Sequence, residues 1–275
     1  MLVNLNYVLE KAKKENYAVG LFNTTDTDML EAVIAAAEEL NSPVIIGTAE
    51  VLLPAGELKL IAPALRAAAE RATVPVVLHY DHGLTFDRCI EALSLGFSSI
   101  MFDGSLGGYE ENVAKTREMA RIAHAFGATV EGEIGHVGNT DDEGGESYTT
   151  PEEAKEFVEA TGVDALAIAI GTAHGVYKTR PKLNLERLAE IRAAVETPLV
   201  LHGGSGLSDD DFRNTVKYGI SKINIFTDLC LAGSRAMQKG LDEGKAYLDI
   251  RNLKVEYIKE CVKEKMRLFG SENKA

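Results

Sequence analysis

Cysteine is scarce in this chain. Cys89, Cys230 and Cys261 are scattered, odd in number and form no CxxC. That argues against a disulfide framework or a thiolate metal site and fits a reducing, cytoplasmic setting. Basic charge is short as well. Twenty-nine Lys and Arg face 42 Asp and Glu, a formal net charge of −13. Such a chain offers no basic footprint for nucleic acid or an anionic membrane. A phosphate needs no such excess, because backbone N–H groups or a metal can hold one. No apolar run approaches the roughly 18 residues of a membrane span. The opening MLVNLNYVLEKAKKENY has an amphipathic helical pattern without the apolar stretch of a signal peptide. No low-complexity linker divides the 275 residues. They read as a single domain, 1–275, ending in a charged helical tail after Gly240.

What is present is alternation. Short runs rich in Val and Ile recur between longer helical patterns: Ala18–Asn23, Pro43–Gly47, Pro75–Tyr80, Ser99–Asp103, Thr129–Ile134, Ala165–Ile170, Leu199–His202 and Lys222–Ile225. Nearly continuous apolar character suits parallel strands buried on both faces. Between them, Thr27–Leu40 repeats apolar residues at three- and four-residue spacing, with Asp26 or Thr27 to cap it. Pro151–Thr161 and Ser208–Tyr218 begin with hydroxyl caps and acidic first turns. Eight strand–helix units in this length predict an α/β fold, the (β/α)8 TIM barrel. An open doubly wound sheet is the runner-up, but no GxGxxG follows the first strand. One long polar loop, Gly138–Ser147, reads either as a mobile lid or as a solvated surface loop.

Barrel active sites lie at the C-terminal strand ends, and here those ends are polar. His82, His174 and His202 end the third, sixth and seventh predicted strands, and His82, His174 and His202 are each followed by Gly. Three imidazoles with one position open make a catalytic zinc arrangement; each alone could equally be a hydrogen-bonded core residue. Asp81 precedes His82 and either enters the mouth or orients a histidine. Glu131 and Glu133 lie on the fifth strand. Gly203, Gly204, Ser205 and Gly206, with Asn224 to Thr227 on the last strand, stand where such barrels bind phosphate. Lys222 starts the last predicted strand at the far rim, which disfavours a Schiff-base lysine. His79 and His124 read as supporting residues, and His136 as the start of the polar loop.

HYDHG, EGEIGHVG, AIGTAHGVYK, LHGGSG and KINIFTDL, in this order, resemble the successive signatures of class II ketose-bisphosphate aldolases, and the resemblance spans nearly the whole chain. It implies a zinc-dependent aldehyde-lyase that forms dihydroxyacetone phosphate and an aldehyde from a phosphorylated ketose. His82, His174 and His202 match the zinc ligands, and Glu133 matches a carboxylate that is an alternative ligand in some members. Asp81 matches the acid/base at the C4 hydroxyl. Gly175, Gly203, Gly204, Ser205, Asn224, Ile225, Phe226 and Thr227 match the segments that hold dihydroxyacetone phosphate, and Asn23 ends the first strand beside them. A monovalent cation, Na+ or K+, accompanies that phosphate in many members. Asp141 falls where the family carries the acid that protonates the enediolate, with Asp142 and Glu143 as alternatives. The family also implies a homo-oligomer, a dimer or tetramer.

The chain departs from fructose-bisphosphate members at the aldehyde end. Their last strand commonly reads N-I-D-T-D-x-R; here Phe226 replaces the Asp and Cys230 the Arg. Their Ser-containing loop after the second strand is replaced by Gly47-Thr48-Ala49-Glu50-Val51. Cysteine cannot substitute for a guanidinium on phosphate, and Glu50 would repel a dianion if it faced the site. These changes point to an unphosphorylated acceptor aldehyde, unless Lys178, Arg180 or Arg251 binds a second phosphate. The alternatives are a fructose- or tagatose-1,6-bisphosphate aldolase proper, and a non-catalytic sugar-phosphate-binding barrel. A metal-dependent hydrolase on this barrel would usually place a histidine pair on the first strand, where Phe22-Asn23 stands.

Overall fold

The structure is a computed structural model that describes residues 1–138, 148–177, 179 and 181–275. In chain order its first half runs β1 (Leu2–Val3), α1 (Leu5–Glu15), β2 (Val19–Asn23), α2 (Thr27–Glu39), β3 (Val44–Ala49), α3 (Leu58–Arg71), β4 (Val76–Gly83), α4 (Phe86–Ser94), β5 (Ser99–Phe102) and α5 (Tyr109–Ala125). The second half runs β6 (Thr129–Ile134), α6 (Pro151–Thr161), β7 (Ala165–Ile168), α7 (Leu185–Ala194), β8 (Leu199–Leu201), α8 (Asp209–Lys217), β9 (Ile220–Ile225), α9 (Thr227–Asp242) and α10 (Tyr247–Phe269). Neighbouring strands from β2 to β9 pair in parallel, and the β4–β5 and β2–β9 ladders close the ring. This is the expected (β/α)8 barrel.

The N-terminal segment differs from the expected continuous helix. Leu2 and Val3 first pair with Val76 and Val77 as a short strand. The Asn4 side chain then accepts from Tyr7 N and starts α1. Leu5, Val8, Leu9 and Ala12, at helical spacing, bury against Val19, Leu21, Ile45, Val77, Ala165, Ala167 and Val200. Val19, Ile45, Val77 and Ala165 lie at the starts of their strands, so α1 plugs the N-terminal end of the barrel. Burying each of Leu5, Val8 and Leu9 stabilises this plug by about 1.5–3 kcal/mol. The C-terminal mouth is left for chemistry.

Helix starts follow the sequence closely. Asp26 caps α2, Thr150 and Glu153 form a capping box on α6, and Ser208 and Asp211 form another on α8. The charged tail is α10, which packs along α9 and α2 and buries Ile258, Val262, Met266 and Phe269. No described helix is long and apolar enough to cross a membrane.

Candidate active site

Asp81 and His82 are consecutive on β4, and strict alternation would send them to opposite faces. The backbone prevents this. His82 takes a left-handed φ of 45°, and the β4–β5 register shifts between Tyr80 and Gly83. A bulge of this kind turns a residue out of the ladder, so both side chains line one cavity of about 530 Å³ at the C-terminal mouth. Gly83 follows because a Cβ there would meet Cys89 Sγ at 2.4 Å and Met101 O at 2.7 Å.

The three histidines converge. His82, His174 and His202 each offer a ring nitrogen, all within 4.8 Å of one another. His82 Nδ1 lies 2.8 Å from Asp103 Oδ2, and His202 Nε2 lies 2.8 Å from Glu131 Oε1. Their inner nitrogens, His82 Nε2 and His202 Nδ1, are 2.8 Å apart. His174 donates its backbone N–H to Gly138 O at 2.9 Å, and its Nε2 is buried without a hydrogen-bond partner. Burial and the charges of His82 and His202 push His174 down to about 3, so its ring is neutral. Burial, then His82, lowers His202 too. Burial disfavours charge on His82, but Asp81 and Asp103 outweigh it and raise the ring to about 9. Three imidazoles, two with carboxylate-fixed outer nitrogens and one with an orphaned nitrogen, fit a divalent metal such as zinc with a position left open.

Two of these partners carry no assigned role in the sequence reading. Asp103 follows β5, and its Oδ1 accepts from Ser105 N at 3.1 Å and Ser105 Oγ at 2.6 Å. Glu131 and Glu133 share a face of β6 because they are two apart. Glu133 is fully buried, accepts from Val137 N at 3.0 Å, and groups with His82 and Asp103 as a further set able to hold a metal. Burial and the nearby Asp103 raise its carboxyl to about 8. The same two-residue spacing relates Lys222 to Asn224, and it overturns the expectation for Lys222. Strand β9 begins two residues earlier than expected, at Ile220, and Lys222 points into the barrel, fully buried, 2.7 Å from Glu131 Oε2.

Asp81 is almost fully buried. Asn23 Nδ2 donates to its Oδ2 at 2.7 Å, and Asn224 Nδ2 approaches Oδ1 at 3.1 Å. Both asparagines, expected on substrate, also orient this carboxylate. Burial works against its charge, but His82 and His79 hold it well below the ordinary carboxylate value. Asn23 Oδ1 and Asn224 Oδ1 are buried without partners.

The far wall is built of glycine and a helix start. Gly175, Gly203, Gly204, Ser205, Ile225, Phe226 and Thr227 all line the cavity. Gly203 has φ 66°, and a Cβ there would lie 2.4 Å from Ala173 O. Tyr177 staples this wall: its hydroxyl accepts from Ala173 N at 2.9 Å and donates to Gly203 O at 2.8 Å. Ser205 Oγ accepts from Phe226 N and Asp228 N, both at 3.2 Å, so it caps the start of α9. A helix N-terminus beside a glycine turn favours an anion.

The opposite wall is apolar: Val51, Leu52, Leu84 and Leu106. No Lys or Arg lines the cavity among the described residues. Glu50 does not face it; its Oε2 accepts from Leu84 N at 2.8 Å and Tyr80 OH at 3.3 Å. Arg251 is held by Glu31 and, at 2.8 Å, by Asp28. Asp141, Asp142, Glu143, Lys178 and Arg180 lie outside the described residues. His79 is buried, 2.8 Å from Ser99 Oγ, while His136 reaches the cavity rim 3.0 Å from Ser105 Oγ. His124 pairs with Asp164 at 2.8 Å on the surface.

Comparison with known proteins finds relatives over the whole chain. The family model "Fructose-bisphosphate aldolase class-II" matches residues 3–274. The chain is 38% identical over 283 residues to fructose-bisphosphate aldolase of Staphylococcus aureus, covering 100% of this chain and 99% of the relative. It superposes on the crystal structure of the YdjI aldolase from Escherichia coli K12 with a TM-score of 0.92 and 39% identity, covering 100% of both chains. For fructose-bisphosphate aldolase of Campylobacter jejuni the TM-score is 0.85 and identity 27%, over 100% of this chain and 97% of that one.

Proposed function

Because this chain belongs to the class II fructose-bisphosphate aldolase family, whose members are metal-dependent lyases, we propose that it cleaves a ketose 1-phosphate into dihydroxyacetone phosphate and an unphosphorylated aldehyde. The observation that carries this reading is the polarity of the cavity. One wall is a glycine-lined helix start suited to phosphate, and the other carries the apolar set Val51, Leu52, Leu84 and Leu106, with no described Lys or Arg in the lining. Among the described residues no Lys or Arg would offer a second phosphate a counter-charge there.

His82, His174 and His202 would hold the metal, with Glu133 beside them. Bound there, the metal supplies Lewis-acid polarisation of the ketose carbonyl. The phosphate end is bound by the Gly203–Ser205 backbone and the α9 N-terminus. Asp81, ionised and fixed by Asn23 and Asn224, accepts the C4 hydroxyl proton. The C3–C4 bond then breaks, its electron pair stays with C3, and the C4 oxygen becomes the aldehyde carbonyl. An acid in the loop after β6, Asp141 by its sequence position, returns a proton to C3. Exposed Leu241, Tyr247 and Leu248 where α9 meets α10 support the expected homo-oligomer; a monomer in sedimentation would remove that part.

The deciding measurement is kcat/KM for fructose and tagatose 1,6-bisphosphates against the corresponding 1-phosphates. The 1-phosphates are expected to be preferred. A strong preference for either bisphosphate would overturn the acceptor assignment and favour a bisphosphate aldolase proper.

A further inference from the structure

We propose that Lys222 is a positioning residue for the metal site: through Glu131 it fixes which nitrogen of His202 faces the metal. This rests on the reading of His82, His174 and His202 as metal ligands.

Lys222 on β9 and Glu131 on β6 meet inside the barrel, both fully buried, with Nζ 2.7 Å from Oε2. The other oxygen, Oε1, lies 2.8 Å from His202 Nε2. A carboxylate only accepts hydrogen bonds, so Nε2 carries the ring proton and donates it. The lone pair of the neutral ring then falls on Nδ1, the nitrogen that faces His82 across 2.8 Å. The ion pair of Lys222 with Oε2 opposes rotation of the carboxylate away from His202. His79 does not do this: its Nε2 is 4.0 Å from Glu131 Oε2 and 3.7 Å from Asp81 Oδ1.

The His82 arm has the same logic with different chemistry. Asp103 presents Oδ2 to His82 Nδ1, while Ser105 occupies Oδ1 through both its N–H and its hydroxyl. Each of these two ligand rings thus has a carboxylate, Asp103 hydrogen-bonded by Ser105 and Glu131 ion-paired with Lys222. The two arms hold opposite ring nitrogens, Nδ1 of His82 and Nε2 of His202, and so leave the two inner nitrogens face to face. At the rim a serine and a backbone N–H suffice. In the dry interior the pin is an ammonium. A buried ion pair is weak evidence for stability, since apolar replacement is often neutral or stabilising. Lys222 has a direct geometric task instead, at the outer partner of a ligand.

The test follows zinc release to a chelator from the zinc-loaded protein and its variants, alongside the imidazole 15N–1H spectrum. His174→Ala and the unaltered protein test the ligand reading: zinc held by the first as firmly as by the second would sink that reading and this proposal with it. For Lys222→Met, zinc loss is expected to be about tenfold faster, the low end for outer partners of a ligand. Lys222→Arg, which keeps a cation, is expected to restore most of the retention. In a Glu131→Gln background the same Lys222→Met change is expected to add less than about a twofold effect, because residues acting through one another are not additive. Equal effects of Lys222→Met in both backgrounds, or none in either, would overturn the proposal. If Lys222→Met does not fold alone, Lys222→Arg and the unaltered protein still decide. A proton found on His202 Nδ1 in place of Nε2 in the zinc-loaded unaltered protein overturns it, and so does Lys222→Arg losing zinc as fast as Glu131→Gln.

Discussion

His82 Nε2 and His202 Nδ1 face each other at 2.8 Å, although they are chemically different ring positions on strand ends that lie 120 residues apart in the chain. Two carboxylates, Asp103 at the rim and Glu131 in the interior, turn the rings so that unlike nitrogens meet. With the orphaned His174 Nε2 alongside, the arrangement has a direct consequence for metal dependence. Chelation should abolish cleavage, and zinc or cobalt should restore it. His174→Ala should lose metal occupancy and turnover together, measured by metal analysis and a coupled cleavage assay. Full activity in protein shown to be metal-free would refute the mechanism.

Asp103 is placed to act on a bound metal through His82 Nδ1. Asp103→Asn should therefore keep the fold while weakening zinc binding about 10- to 100-fold, as outer-partner substitutions do. Competition against a chelator of known affinity measures this directly. Unchanged zinc affinity would show that the His82 orientation does not depend on Asp103.

Asp81 has a different task, since both of its oxygens are engaged by asparagine amides rather than by a ligand's outer nitrogen. Asp81→Asn should retain zinc and thermal stability but lower kcat for cleavage by about 10²- to 10⁴-fold. It should still exchange the C3 proton of dihydroxyacetone phosphate with solvent, followed by NMR in D2O. Asp141→Asn should do the reverse. Intact exchange in Asp141→Asn would shift that role to Asp142 or Glu143.

The Glu131 carboxyl has a pH signature. Burial alone would raise it, but Lys222 and His202 outweigh burial and hold it at about 2, against an ordinary 4.5. A depressed folded pKa gives stability that is complete above about 4.5 and is lost as pH falls toward about 2. Tm measured between pH 6 and 2 should fall less steeply in Glu131→Gln than in the unaltered protein over that window. Parallel curves would remove Glu131 from the acid sensitivity.

Gly203 combines φ 66° with a Cβ position 2.4 Å from Ala173 O. Gly203→Ala should cost about 1–3 kcal/mol from the backbone conformation alone and should raise KM for the phosphate end by displacing the β8 loop. Chemical denaturation and steady-state kinetics read the two effects separately. Wild-type values in both would mean that the loop relaxes freely.

Much of this protein is legible in its sequence, because much of it is local. Apolar runs, proline stops and hydroxyl caps specify strands and helices through neighbours a few residues away. Pro151–Thr161 occurs as α6 with the same ends. The strand-end polar residues follow, since a barrel gathers those ends at one mouth. Departures such as Phe226 and Cys230 are visible by comparison with a family pattern, without coordinates.

Tertiary structure decided what depends on register and direction. Asp81 and His82 share the cavity only because His82 is left-handed and the β4–β5 ladder slips there. Lys222 is buried rather than at the rim because β9 starts two residues earlier than expected, and a strand's starting point depends on its partners' ladders. Asn23 and Asn224 hold Asp81 across β2, β4 and β9, and Glu50 turns away from the cavity toward Leu84 N. These contacts join residues tens to hundreds of positions apart. Their energies depend on distances of a few ångströms that no local pattern carries. Local pattern places polar groups at the strand ends; the closed barrel fixes which nitrogen, oxygen and ammonium meet there.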